Sequence, residues 1–452
     1  MKVAMYSSGG NGAESNFMSY YNFLPTRADE WDAISEMYPE HEFRMYIAPH
    51  GGISVEENGE DIFLRAKNVP YTIIPLSYGV DEVADLIAKD SPDVAIAVTT
   101  PSLPYDYAYV RDSLVADKLR EKGIRAIAHS TLISEEAFEK HKINKRLKDL
   151  GFNVPVGVFV NKHLYDANHE NTGIVRNVYH DFIIQELKKL TFPVIIKYDS
   201  GAGSIGLTVA KTIEEAIKVL DSDGSGMDMI VEERISGMNF GAEIFGTDGD
   251  YSFKGPVVFS SNEDGVTDPF DSVKFGAVKN EKFKIKELKS EMHRLAKELK
   301  LCGGTQIDLM FTGKDWYIIE INPRMSLMSM LIAAIEGRHI FQNYVEHAFK
   351  KVHDLPVNEQ KLGIDFKTPV YDEKRIEDLC REFSSIKTAM RFKYELTEKN
   401  ILYTEIAMGG FDKSEDLITE LKSIKAKYPD IVSDKVIKNV ENVISYTEGE
   451  ND

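Results

Sequence analysis

Cysteine is almost missing from this chain: among 452 residues only Cys302 and Cys380 occur. Two thiols so far apart give neither a disulfide framework nor a zinc site, and a reducing cytoplasm is the expected compartment. Long apolar runs are missing too. No stretch reaches the roughly eighteen consecutive apolar residues that cross a bilayer. The start, Met1 to Ser7, is a short strand-like run rather than a basic segment followed by an apolar one, so neither an export signal nor a membrane span is expected. Positive charge is in deficit: 54 Lys and Arg face 73 Asp and Glu, a net charge of -19 at pH 7. No basic patch compensates, and such a field repels nucleic acid and anionic membranes. A small polyanion stays compatible, because a few lysines and a metal ion reverse the potential locally.

What is present is the material of a soluble globular protein, with 43% apolar and 28% charged residues. The length predicts two to four packed units, roughly three. The runs KVAMY (from Lys2), RMYIA, YTIIPL and DVAIAV read as strands, with a helix from Asp81 to Asp90 between the last two. Strands alternating with helices predict a parallel α/β unit over residues 1 to about 130. The turn Ser7–Gly12 after the first strand could bring backbone amides to a phosphate or carboxylate, but it lacks full dinucleotide spacing and reads first as a tight turn. Glu135 to Leu150 reads as one charged helix closed by Gly151. From Phe192 the text becomes β-rich, with FPVIIKY, LTVAK, DMIVEERI, FGAEIFG and YSFKGPVVF broken by a helix from Thr212 to Leu220. A helix from Glu287 to Leu299 precedes GGTQIDLMF and DWYIIEINP, a hairpin around Thr312–Asp315. Mixed helices and strands fill the last hundred residues, from about Val352. The expected fold class is multidomain, combining α/β with α+β.

Three segments carry chemistry. The hairpin sets Asp308 alongside Glu320 and Asn322, and residues two apart on a strand share a face, so Arg324 projects with them. Two carboxylates and an amide oxygen, with no thiol or imidazole, suit a hard cation such as magnesium bridging nucleotide phosphates. The acids alone also fit an exposed strand face. Second, a buried strand delivers Lys197, and Ser200–Gly206 follows with Gly201, Gly203 and Ser204, a loop able to close on a terminal phosphate. It is not a Walker loop, because the Gly-Lys-Ser/Thr ending is missing. Third, Met229–Gly237 is an apolar strand ending in Glu232 and Glu233, with free backbone groups able to pair with a purine edge.

In this order, the segments EKHKINKRLKDLGFNVP, FPVIIKYDSGAGSIGLTV, MIVEERISG and TQIDLMFTGKDWYIIEINPRMS resemble the ATP-grasp superfamily over residues 135 to about 335. The resemblance implies an N-terminal parallel α/β pre-ATP-grasp domain (1–130), an ATP-grasp domain (131–350, lid about 190–250) and a C-terminal accessory α+β region (351–452). It implies ATP as a substrate, with Mg2+ as the ion and Mn2+ as its substitute. By that likeness Lys140 and Lys197 hold the α- and β-phosphates, ahead of Lys142 and Lys145 as candidates. Glu232, the backbone of Glu233 and the amide of Ile235 match the adenine hinge. Asp308, Glu320 and Asn322 match the metal ligands, and Arg324 the arginine that steadies the reacting carboxylate. Two positions depart from the pattern: Asn239 stands where many relatives have a ribose-binding glutamate, and Gln306 where many have arginine or asparagine. The stretch from Asn322 to Ser326 is nearer the carbamoyl phosphate synthetase and biotin carboxylase branch than D-alanine:D-alanine ligase. The chain is too short for a complete large synthetase subunit, and a biotin-carrier lysine motif is absent. The implied activity is a carboxylate–amine ligase acting through an acyl phosphate on amino acids or related small metabolites, releasing ADP and phosphate. Bicarbonate activation, or nucleotide binding without turnover, are the competing expectations. The implied partners are a small carboxylate and an amine, with a homodimer suggested.

Overall fold

Val3 and Met5 point to one side of the first strand and Ala4 and Tyr6 to the other, and all four are buried. A strand covered on both faces belongs in a parallel sheet between helices. The computed structural model describes residues 1–8, 18–25, 27–48, 66–99, 108–167, 176–200, 206–262, 265, 272–355, 359–396 and 399–449. Within them, β1 (Lys2–Ser7) is followed by β2 (Met18–Leu24), which leaves for another sheet. Then β3 (Glu42–Ile47), β4 (Tyr71–Ile73), β5 (Val94–Ala97) and β6 (Arg125–Ile127) join β1 in a parallel sheet of order β4-β3-β1-β5-β6. The helix Arg27–Met37 covers one face with Trp31 and Ile34; Val80–Ala88 and Ala108–Glu121 cover the other. The order reverses between β1 and β5, and the carboxyl ends there form the crevice in which open α/β sheets hold ligands.

A four-stranded antiparallel sheet follows, with β7 (Gly157–Val160), β8 (Val194–Tyr198), β9 (Thr208–Ala210) and β10 (Met229–Glu233) in the order β7-β10-β8-β9. The helix Ile213–Ser222 packs on it through Ala216 and Leu220 and starts at Thr212, whose side chain accepts from Glu215 N. The β-rich run that reads as one unit in the sequence is divided here. At Arg234–Gly237 the chain crosses to a second sheet, and Gly237 is needed because a Cβ there would meet the Phe311 carbonyl oxygen at 2.3 Å.

That second sheet has nine strands. They are β11 (Met238–Thr247), β12 (Asp250–Phe259), β13 (Lys274–Gly276), β14 (Gly303–Phe311), β15 (Trp316–Asn322), β16 (Leu362–Thr368), β17 (Ile386–Leu396) and β18 (Lys399–Phe411), with β2 at one edge. Their order, β15-β14-β11-β12-β13-β16-β18-β17-β2, runs from the expected β14–β15 hairpin into the last hundred residues and back to the N-terminus. The C-terminal region is thus part of a shared sheet. One face packs on Ile285–Glu298, Ser414–Lys427 and Asp434–Glu448. The other carries Met328–Glu336, in which Leu331, Ile332 and Ile335 are buried. Burial of each such side chain contributes about 1.5–3 kcal/mol.

The single helix expected over Glu135–Leu150 is two, Thr131–Phe138 and Lys140–Asp149, separated at Glu139, whose backbone is extended (φ -102, ψ 105). Asp199, just past β8, imposes the break: its carbonyl accepts from Lys140 N (3.0 Å) and its Oδ1 from His141 N (2.8 Å). These bonds satisfy the free N–H groups of the second helix start. No helix among the described residues is long and apolar enough to cross a membrane.

Candidate nucleotide and metal site

The four-stranded sheet faces the β11–β14–β15 end of the nine-stranded sheet across a cavity of about 1080 Å³, counting space open to solvent. Ile195 and Leu207 form one wall and Leu309, Met310 and Ile319 the other, an apolar slot suited to a planar base. At its hinge end, Glu233 N–H is taken by Val156 O at 2.8 Å, whereas Ile235 N–H has no hydrogen-bond partner among the described residues.

At the charged end, Asp308 and Glu320 are directly paired across β14 and β15, and Gln306 is paired with Asn322. Gln306 Nε2 donates to Asp308 Oδ1 at 2.8 Å and fixes that carboxylate. Lys140 Nζ lies 3.4 Å from Glu320 Oε1, delivered by the helix start that Asp199 caps. Lys197 Nζ lies 2.7 Å from Glu232 Oε2, and Asn144 Nδ2 donates to the other oxygen, Oε1, at 2.5 Å. Arg324 donates through Nη2 to Asn322 Oδ1 (2.8 Å) and through Nη1 to Met325 O (3.3 Å).

Burial, and then Glu320 beside it, push the Asp308 carboxyl up to about 7. Burial opposes the charge on Glu320 as well, but Lys140, Lys197 and Arg324 outweigh it and hold that carboxyl below its usual value. Burial would lower Lys197; Glu232, Glu320 and Asp308 overcome it and raise the ammonium. Two desolvated acids in register repel unless a cation lies between them. The donor set of Asp308, Glu320 and Asn322 is all oxygen, so the residues present fit a hard divalent ion.

Residues 137–327 match the ATP-grasp domain family. This chain carries an ATP-grasp domain. D-alanine--D-alanine ligase from Bacillus anthracis is 25% identical over 201 residues, 43% of this chain and 59% of the relative. The carbamoyl phosphate synthase large chain of Thermotoga neapolitana is 21% identical over 297 residues, 62% of this chain and 24% of that one. The chain therefore spans less than two thirds of the length of these curated relatives. Among solved structures, an L-amino acid ligase from Bacillus licheniformis superposes with a TM-score of 0.61 at 13% identity, over 93% of this chain and 97% of that chain. A biotin carboxylase from Campylobacter jejuni gives 0.61 at 12% identity, over 100% and 97%. These likenesses are of fold alone, and they take in the regions on both sides of residues 137–327.

The chain brings Lys140, Lys197, Glu232, Glu233, Ile235, Asp308 and Glu320 to one cavity, and Asn322 and Arg324, hydrogen-bonded to each other, follow just beyond Glu320. Lys142 instead pairs with Glu135 and Glu139, and Lys145 is exposed. The Glu232 carboxylate faces Lys197 rather than the hinge opening. Asn239 lines the cavity but donates to Ser261 Oγ (2.7 Å) and Gly265 O (3.0 Å). Gly201, Gly203 and Ser204 lie outside the described residues, as do Gly9–Gly12 of the first turn.

Sequence reasoning missed Asn144 and Asp199. Asn144 stands four residues after Lys140 on the same helix face, and Asp199 two after Lys197, spacings that would have pointed to both. Glu139, His141 and Asp199 also place ligand atoms within 4.8 Å of one another. His141 Nδ1 lies 2.6 Å from Asp199 Oδ2, so the group is accounted for as a helix cap.

Proposed function

We propose that this protein is an ATP-dependent carboxylate–amine ligase that activates a small acid as its acyl phosphate. The observation that carries the reading is the convergence of Lys140 and Lys197 on the Asp308–Glu320 pair, with Arg324 anchored to Asn322 beside it. Lys140 and Lys197 would face the nucleotide phosphates, with the base in the apolar slot and its edge on Ile235 N–H. Asp308, Glu320 and Asn322 would hold Mg2+, or Mn2+ in its place, which supplies charge neutralisation of the terminal phosphates when bound.

The acid's carboxylate would sit at Arg324. Arg324, Met325 and Tyr344 share a crevice with Thr99 and His129 at the carboxyl ends of β5 and β6. Asp112 ties that edge together: it accepts from Ser8 N at 2.8 Å and from the hydroxyls of Ser8 and Thr99. A planar guanidinium there can orient a carboxylate oxygen toward the γ-phosphorus. That oxygen forms the new O–P bond, and the bond to ADP breaks. An amine then attacks the acyl carbon, phosphate leaves, and the amine gives up a proton. Productive transfer would require water to be kept from the activated acid. A homodimer belongs to the same reading and is tested by sedimentation.

The test is release of ADP and phosphate from Mg–ATP against amino acids, dipeptides, dicarboxylates and bicarbonate, with Glu320→Ala as control. Stimulation by one acid with one amine, abolished in the variant, supports the ligase. Bicarbonate stimulation alone supports a carboxylating enzyme instead, and tight ATP binding with no turnover supports a nucleotide-binding protein.

A further inference from the structure

The chain carries 54 Lys and Arg against 73 Asp and Glu, yet one hollow inverts that balance. Between the parallel unit and the end of the helix Ile285–Glu298 lies a second cavity of about 1030 Å³, counting space open to solvent. Arg120, Arg125, Lys297 and Lys300 line it, and Asp248 is the acid among the lining residues. Among the described residues it shares no lining side chain with the nucleotide cavity. A cleft lined by one sign of charge concentrates ions of the other.

Helix ends explain part of this set. Arg120 stands in the last turn of Ala108–Glu121 and Lys297 in the last turn of Ile285–Glu298, where a cation meets the free carbonyls. Arg120 belongs to the frame: Nη1 lies 2.6 Å from Asp117 Oδ1, and Nη2 donates to Ala126 O (3.1 Å) and Ala128 O (2.6 Å). The other three cations are less engaged. Arg125, at the start of β6, is exposed and gives Nη1 to the Ala348 carbonyl. Lys297 and Lys300 are exposed, and their ammonium groups have no partner among the described residues. Helix ends account for a cation on each helix separately. They do not account for cations of two units lining one cavity.

Ile127, Ala128 and Cys302 line this cavity and the Arg324 crevice alike, so the two share a wall. In that wall Cys302 N–H donates to His129 Nδ1 at 3.2 Å, and the other ring nitrogen lies 3.0 Å from Gly304 O. These bonds tie the end of β6 to the start of β14, the strand of Asp308. An anion drawn by Arg125 from one unit and by the two lysines from the other would tighten this junction.

We propose that the cavity is a second ligand site, which takes a small anion carrying at least two negative charges. The Arg125 guanidinium holds it on one side and the Lys297 and Lys300 ammonium groups on the other. Phosphate esters and polycarboxylates share that chemistry, because the oxygens of both accept from a planar fork and from ammonium donors. The site is separate from the nucleotide cavity and does not depend on the ligase reading.

The experiment is isothermal titration calorimetry of the full chain, with Mg–ADP saturating the nucleotide cavity and with inorganic pyrophosphate and, separately, tricarballylate as probes. At least one probe is expected to bind, one molecule per chain, and the one that binds tells a phosphate-bearing ligand from a polycarboxylate. Lys297→Gln with Lys300→Asn removes two exposed charges, and asparagine tolerates the left-handed backbone of Lys300 (φ 49). That double variant should bind the probe at least about tenfold more weakly and keep its Mg–ADP affinity within about twofold. Binding of neither probe to the natural protein, or undiminished binding in the double variant, overturns the proposal.

Discussion

Glu232 Oε2 and Lys197 Nζ form an ion pair of 2.7 Å in which the side chains are 3% and 10% exposed. The carboxylate thus holds the lysine charged and aimed at Asp308 and Glu320, and Asn144 in turn holds the carboxylate.

Removing one partner of a buried pair costs about 3–5 kcal/mol, because the other charge is left without compensation. Glu232→Ala is therefore expected to destabilise the fold by that amount in denaturant unfolding. Adding Lys197→Met should recover most of the loss. Additive effects of the two changes would show that the pair is not energetically coupled.

Arg324→Lys keeps the charge and loses the fork that reaches both Asn322 Oδ1 and Met325 O. Acid-dependent phosphate release should fall about 100-fold, equivalent to about 2.7 kcal/mol of transition-state stabilisation. Nucleotide affinity should stay within about twofold, since the arginine stands beyond the phosphate lysines. Near-normal turnover would remove Arg324 from the reaction.

Metal binding should depend on pH with a definite sign. Burial and Glu320 raise the Asp308 carboxyl to about 7, so below that pH the group carries a proton that a cation must displace. Mn2+ affinity, followed by electron paramagnetic resonance, is expected to rise by up to about tenfold per pH unit between pH 5 and 7 and to level off above. In Asp308→Asn the slope should vanish along with tight binding. A flat profile in the natural protein would place the ion elsewhere.

Period-two alternation on both sides of Thr312–Asp315 made the β14–β15 hairpin legible, and with it the register that joins Asp308 to Glu320. Lys197 was legible for the same local reason, one lysine at the end of an apolar strand. The break at Glu139 was not, because its cause, Asp199, lies 58 residues beyond His141, in the turn after β8. The ion pairs of Lys274, on β13, were hidden in the same way: its acid partners, Asp365 and Glu405, lie 91 and 131 residues downstream. No local pattern reports that β13, β16 and β18 are neighbours. The crossing at Arg234–Gly237 is likewise set by contact with Phe311, not by composition.

The central claim is that an oxygen of the acid ends on phosphorus. The most direct measurement supplies the stimulating acid labelled with 18O in its carboxylate, together with Mg–ATP and the amine, and analyses the released phosphate by mass spectrometry. Transfer of one label per phosphate is predicted. Unlabelled phosphate formed alongside product would contradict the acyl-phosphate account.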